Sequence, residues 1–221
     1  LFGKKSASWI GVDIGSSSVK LVALSRHGSK VRLDAYAVVS LPPTAIIDGN
    51  VQEVQPVAEA IERGAKLCAI KQGNAVTAVP SSAVIIKKIE LSKSFTELEL
   101  EEQVRVEADQ FIPYPLDEVF IDFEVVGKSS LNKGKDDVLL SAARKQVVNG
   151  RVDALSEGGF NAMIVDIEGF ALGRAVKETL GDEEQEKTVA CIDIGANQTL
   201  FSVLRNGEVI FSNDQVFGVN Q

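Results

Sequence analysis

Along the chain, short apolar runs alternate with polar breaks, and the spacing of apolar positions shifts between period two and helical period. Residues 8–14, 18–24 and 30–39 read as three successive strands of a meander, turning at Gly15 and Gly28. Pro42-Pro43 and Asp48-Gly49 mark a loop. From Val54 to about Ala69, the positions Val57, Ala60, Ile61, Ala65 and Cys68 recur with helical spacing. Strands follow at 75–79 and 83–90, separated by Pro80-Ser81. Thr96 and Glu99 form a capping box that opens a helix with Leu100, Val104, Ala108 and Phe111 on its apolar face, ended by Pro113. The acidic run Glu97 to Glu102 reads as that helix's solvated first turns, favoured by the dipole.

The second half continues the alternation. VFIDFEVV (119–126) and VLLSAA (138–143) read as strands around a flexible loop, GKSSLNKGKDD. A helix from about Gln146 to Glu157 stops at Gly158-Gly159, where glycine suits the left-handed residue after a helix. Strand 163–167 and a helix over EGFALGRAVKETL lead to an acidic linker, GDEEQEK. A last hairpin turns at Asn206-Gly207 and continues through 208–212. Strands and helices alternating in this way predict an α/β protein.

Composition narrows the classes. With 221 residues and 45% apolar content, the chain can bury one sizeable core or two small ones. A formal charge of −8 argues against a nucleic-acid footprint, and no apolar run reaches the roughly 18 residues of a membrane span. No secretory signal pattern is visible. Cys68 and Cys191 share no motif and read as reduced core residues of a cytoplasmic protein. His27 is the sole histidine, which excludes a histidine-rich metal site. Trp9 reads as core or interface packing, and Phe2 with Lys4-Lys5 as a frayed terminus. The start at Leu1 and the stop at Gln221 suggest a fragment of a longer chain.

Candidate chemistry lies in a repeat. IGVDIGSSSVKLVAL (10–24) and ACIDIGANQTLFSVL (190–204) share one plan: an apolar strand, Asp-Ile-Gly, small polar residues, then a second apolar strand. Asp13 falls on Asp193 and Gly15 on Gly195, 180 positions later. A glycine turn lets backbone N–H groups approach a phosphate, and Ser16, Ser17, Ser18, Asn197, Gln198 and Thr199 add short polar groups. Asp13 and Asp193 at the strand ends can hold Mg²⁺, directly or through water, and Lys20 can neutralise phosphate charge. Neither a Walker A loop nor a G-x-G-x-x-G fingerprint is present.

These two stretches resemble the paired phosphate loops of the actin, sugar-kinase and DnaK-type chaperone superfamily. The resemblance implies a ribonuclease-H-like, two-domain fold with ATP in the cleft. VRVEADQFIPYPLDEVFIDFEVV and VLLSAARKQVVNGRVDALSEGGFNAMIVDIEGFALGRA are similar to the PilM family of type IV pilus assembly proteins, themselves similar to the cell-division protein FtsA. That similarity, running from Trp9 to the last residue, implies an FtsA-like inserted subdomain. The expected division is 1–83 for the first part of the first subdomain, 84–143 for the insert, 144–180 for the rest with the connecting helix, and 181–221 for the start of an incomplete second domain. It implies a cytoplasmic ATP-binding scaffold, peripheral to the inner membrane, serving pilus biogenesis and twitching motility. The scaffold would bind the short N-terminal cytoplasmic segment of PilN, in a groove between the first subdomain and the insert, and link the inner-membrane complex to the assembly motors. Hydrolysis would be slow at most. Glu168, opening the connecting helix, stands where the superfamily orients its attacking water, or is simply a helix N-terminal acid. The alternative is a small-molecule kinase of the sugar-kinase type, for which Asp166 is the candidate base.

Overall fold

The computed structural model describes residues 9–28, 30–70, 73–181 and 186–220. They form two compact units, one of Leu1–Ser82 with Val147–Gln221 and one of Ala83–Gln146. Phe2, Lys4, Lys5, Gln221 and most of the acidic linker lie outside the described residues, as does the His27 side chain.

The first unit begins with β1 (Trp9–Ile14), β2 (Ser18–His27) and β3 (Lys30–Ser40), an antiparallel meander. A two-residue ribbon, β4 (Ile46–Ile47) and β5 (Asn50–Val51), lies within the expected loop. Asp48 and Gly49 turn it with φ of 49° and 74°, the left-handed pair that Asp-Gly supplies in tight hairpins. Helix α1 (Val54–Leu67) leads to β6 (Gly73–Val79), which pairs parallel with β1. The second unit intervenes, with β7 (Val84–Ser92), α2 (Glu97–Asp109), β8 (Val119–Lys128) and β9 (Lys135–Arg144). The chain re-enters the first unit through α3 (Lys145–Glu157) and β10 (Phe160–Ile167). Gly159, two positions past the end of α3, takes a φ of 89°, and β10 starts directly after it, three residues before the expected strand. Helix α4 (Glu168–Thr179) and the hairpin strands β11 (Thr188–Ile194), β12 (Thr199–Arg205) and β13 (Glu208–Gln215) complete the chain.

In the first unit the sheet order is β10-β6-β1-β2-β3, and β11-β12-β13 form a separate antiparallel sheet. Ile10, Val12, Ile14, Val19 and Leu21 form a core with Val57, Ala60, Ile61 and Ala65 of α1 and with Ala154 and Leu155 of α3. The strand's alternation decides the rest of β1. Trp9, Gly11 and Asp13 take the opposite phase, so Trp9 is 48% exposed rather than in the core, and Asp13 reaches the open face at the strand end. Helix α4 lies directly on β13: a Cβ at Gly173 would run into Val209, and one at Gly169 into Ser212.

In the second unit β9 is central, with β7 and β8 as the edges. Leu91, Val138, Leu140 and Ala142 of the sheet bury against Val104 and Ala108 of α2. The capping box is complete. Glu99 N–H donates to Thr96 Oγ1 at 3.4 Å, and Thr96 N–H donates back to Glu99 Oε2 at 2.8 Å. The expected loop is shorter than the sequence suggests, since β8 runs to Lys128 and β9 starts at Lys135, leaving 129–134 as the turn. Its turn is tied down, with Glu90 accepting from Ser129 and from Asn132 Nδ2 at 2.6 Å.

Candidate nucleotide site

The two Asp-Ile-Gly turns are closed by the same bond. In the first, Asp13 faces Lys20, Ile14 faces Val19, and Gly15 N–H donates to the Ser18 carbonyl at 3.0 Å. In the second, Asp193 faces Leu200, Ile194 faces Thr199, and Gly195 N–H donates to the Gln198 carbonyl at 2.9 Å. Backbone register is therefore repeated while side chains diverge: Lys20 is answered by Leu200, and Ser16-Ser17-Ser18 by Ala196-Asn197-Gln198.

Both turns open onto one cavity of about 570 Å³ within the first unit. Its lining includes Asp13, Gly15, Ser16, Ser17, Ser18 and Lys20 from the first hairpin, and Asp193, Gly195 and Gln198 from the second. Glu168 lines it from the start of α4, and Asp166 from the end of β10. Two predicted residues stand off this wall. Thr199 is buried and its hydroxyl donates to the Phe217 carbonyl at 2.8 Å, and Asn197 is exposed, accepting from Asn220 at 3.3 Å.

Charge shapes the cavity. Lys20 Nζ sits 2.7 Å from Asp13 Oδ2, an ion pair across adjacent strands with both partners about half exposed. Burial pushes the Glu168 carboxyl up to about 7; Arg151 opposes the rise, and Asp13, Asp214 and Asp193 add to it. Beside Glu168, the first turn of α4 is capped by Ser81, whose Oγ accepts from Gly169 N–H at 3.0 Å. Asp166 is fully engaged: Oδ1 accepts from Ile167 N–H at 2.8 Å and Oδ2 from Arg174. Such a carboxylate is held in place by its partners and is a poor general base.

Sequence reading missed two charged residues of the lining. Asp214, on β13, accepts from Ser82 N–H at 2.7 Å through Oδ2, while its buried Oδ1 has no partner among the described residues. The expected strand ended at 212, two positions short of it. Arg151 lies on α3 and is 1% exposed. Its spacing from Val147, Ala154 and Leu155 puts it on that helix's buried face, a signal present in the sequence.

The cavity's acidic donors are hard oxygens, the type that holds Mg²⁺. Among the described residues no three His, Cys, Asp or Glu side chains group closely enough to form a protein cage. Asp13 and Asp193, at the two strand ends, are the carboxylates that could hold such a cation.

Comparison with known proteins gives a consistent picture. The sequence model described as type IV pilus assembly protein PilM matches residues 11–221. The cell division protein FtsA of Bacillus subtilis (strain 168) is 20% identical over 225 residues, covering 91% of this chain and 50% of that protein. The structure of a PilM–PilN type IV pilus biogenesis complex matches with a TM-score of 0.80 and 30% identity, over 96% of this chain and 62% of that one. The cytoplasmic domain of EpsL, an inner-membrane component of the Vibrio cholerae type II secretion system, matches with a TM-score of 0.56 and 13% identity, over 94% and 71%. At that identity the likeness concerns the fold alone. The fold is that of the actin-like ATPases. The chain spans about half the length of the curated relative it matches. No described helix is long and apolar enough to cross a membrane.

Proposed function

Because the chain belongs to the type IV pilus assembly protein PilM family, we propose that it is an ATP-binding scaffold of the pilus assembly complex at the inner membrane. In this reading it works on the cytoplasmic face, binds the N-terminal cytoplasmic segment of PilN, and connects that complex to the assembly motors in pilus biogenesis and twitching motility. The observation that carries the nucleotide part is the convergence of two register-matched Asp-x-Gly turns on one cavity. Backbone N–H groups and the serines of the first turn would take phosphate oxygens, and Lys20 would offset their charge. Mg²⁺ would be held at Asp13 and Asp193 through its waters, screening the phosphates from the surrounding carboxylates. Glu168, which lines the cavity, would orient a water, and slow hydrolysis would serve to switch conformation.

The partner part is supported by the 30% likeness to a chain solved in a PilM–PilN complex. The second unit offers two sheet edges, β7 and β8, and an extended peptide can add to such an edge through backbone hydrogen bonds. The sugar-kinase reading is not favoured, since Asp166 is committed to Arg174 and to its neighbour's N–H. Titration of the full-length protein with a PilN N-terminal peptide, with Mg-ATP and with a panel of sugars tests the assignment. Peptide and nucleotide binding with no sugar binding is expected. Sugar-dependent phosphoryl transfer without peptide binding would overturn it.

A further inference from the structure

Helix α3 carries a guanidinium into the interior of the first unit. Among the described residues, Arg151 is the largest fully buried side chain. Its Nη2 donates to the Gly49 carbonyl at 2.8 Å, and Nη1 to the Val147 carbonyl one turn back at 3.3 Å. Nε is buried with no acceptor among the described residues. No described carboxylate stands within ion-pair distance of it. A buried cation without a partner is unfavourable unless opposing charge compensates. Here that charge belongs to the cavity: burial lowers the guanidinium's pKa, while Glu168 and Asp13 hold it up.

The group that Arg151 grips is equally placed. Gly49 sits in the left-handed Asp48-Gly49 turn and lines the cavity. A Cβ there would stand 2.9 Å from Pro80 Cγ and 3.6 Å from Gln198 Oε1. The turn is therefore wedged between the residue that follows β6 and the second hairpin, and Arg151 anchors it from behind. Lys20, the other cation of the lining, is half exposed and already bound to Asp13. Arg151 is the cation whose field passes through protein rather than water, where screening is weakest.

We propose that Arg151 is a positioning residue of this cleft, holding the Asp48-Gly49 turn against the second hairpin and supplying buried positive charge that favours a nucleoside polyphosphate over a monophosphate. The inference rests on the nucleotide reading of the cavity and adds its charge selectivity. Its effect scales with the charge of the ligand, so ATP depends on Arg151 more than AMP does.

The test is fluorescence or calorimetric titration of Mg-ATP and AMP against the full-length protein and its R151Q and R151K variants, with melting temperatures recorded in parallel. R151Q is expected to weaken Mg-ATP at least tenfold and to narrow the ratio of Mg-ATP to AMP affinity. R151K keeps the charge but reaches Gly49 less well, so it is expected to lose Mg-ATP affinity by less than R151Q and to retain more of the ratio. Unchanged Mg-ATP affinity, or equal losses for ATP and AMP that track the melting temperature, would overturn the inference and reduce Arg151 to a packing role. Where R151Q does not fold, R151K decides alone: weaker Mg-ATP binding with the ratio to AMP largely kept and an unchanged melting temperature supports the positioning role, and unchanged affinity or a loss that tracks the melting temperature overturns it. A parent protein that binds no Mg-ATP overturns the nucleotide reading and this inference together, an outcome distinct from a binding parent with unaffected variants.

Discussion

Replacing Glu168 with glutamine should stabilise the first unit at alkaline pH and leave it unchanged at acid pH. The carboxyl's pKa rises from 4.5 to about 7 in the folded chain, chiefly through burial, with Asp13, Asp214 and Asp193 adding to the rise. A raised pKa means that the folded state binds the proton more tightly than the unfolded one. This contribution to stability is fully present below 4.5 and is lost as the pH climbs through about 7. At about 1.4 kcal/mol per pH unit, the loss amounts to about 3 kcal/mol, an upper figure because the side chain is not wholly buried. The opposing pull of Arg151 is already contained in it. Glutamine has nearly the same shape and no charge, so E168Q should gain about 1 to 3 kcal/mol over the parent at pH 8 and nothing at pH 4.5. Trp9 is the sole tryptophan and lies on β1 of the first unit, so its fluorescence can follow urea unfolding of that unit across the pH range. All other titrating groups are common to both proteins, and the difference curve isolates Glu168. Parallel stability curves from pH 4.5 to 8 would refute the reasoning.

Two further outcomes follow from the same geometry. Asp13→Ala or Asp193→Ala should each weaken Mg-ATP binding tenfold or more in the full-length protein, about 1.4 kcal/mol, read by titration; parent-like affinity in both would remove the phosphate-turn assignment. Thr96→Ala removes the acceptor that caps α2 and should destabilise the second unit by about 1 kcal/mol, read as a lower denaturation midpoint. No change there would mean that the packing of Val104 and Ala108 alone holds the helix.

What could be read from the sequence was whatever has a local cause. The capping box at Thr96, the turn glycines at Gly28 and Gly207, and the repeated Asp-Ile-Gly hairpins depend on residues only a few positions apart, and each forms as expected. Of the two readings of Trp9, the core one fails because of strand phase: one residue's shift along β1 separates Ile10 in the core from the half-exposed Trp9. The loop between β8 and β9 is shorter than expected because Gly127 and Lys128 pair with Asp137 and Asp136 across it, and its turn is tied to Glu90, about forty positions upstream. Arg151 shows a third limit. Its helical phase marks it as buried, yet on its own that phase reads as a long side chain reaching solvent past its neighbours. Only the fold brings Gly49 to its Nη2 and sets Glu168 and Asp13 close enough to act on its charge. In the proposed reading the two turns take the phosphates, and the buried cation behind them adds charge selectivity to that same cavity.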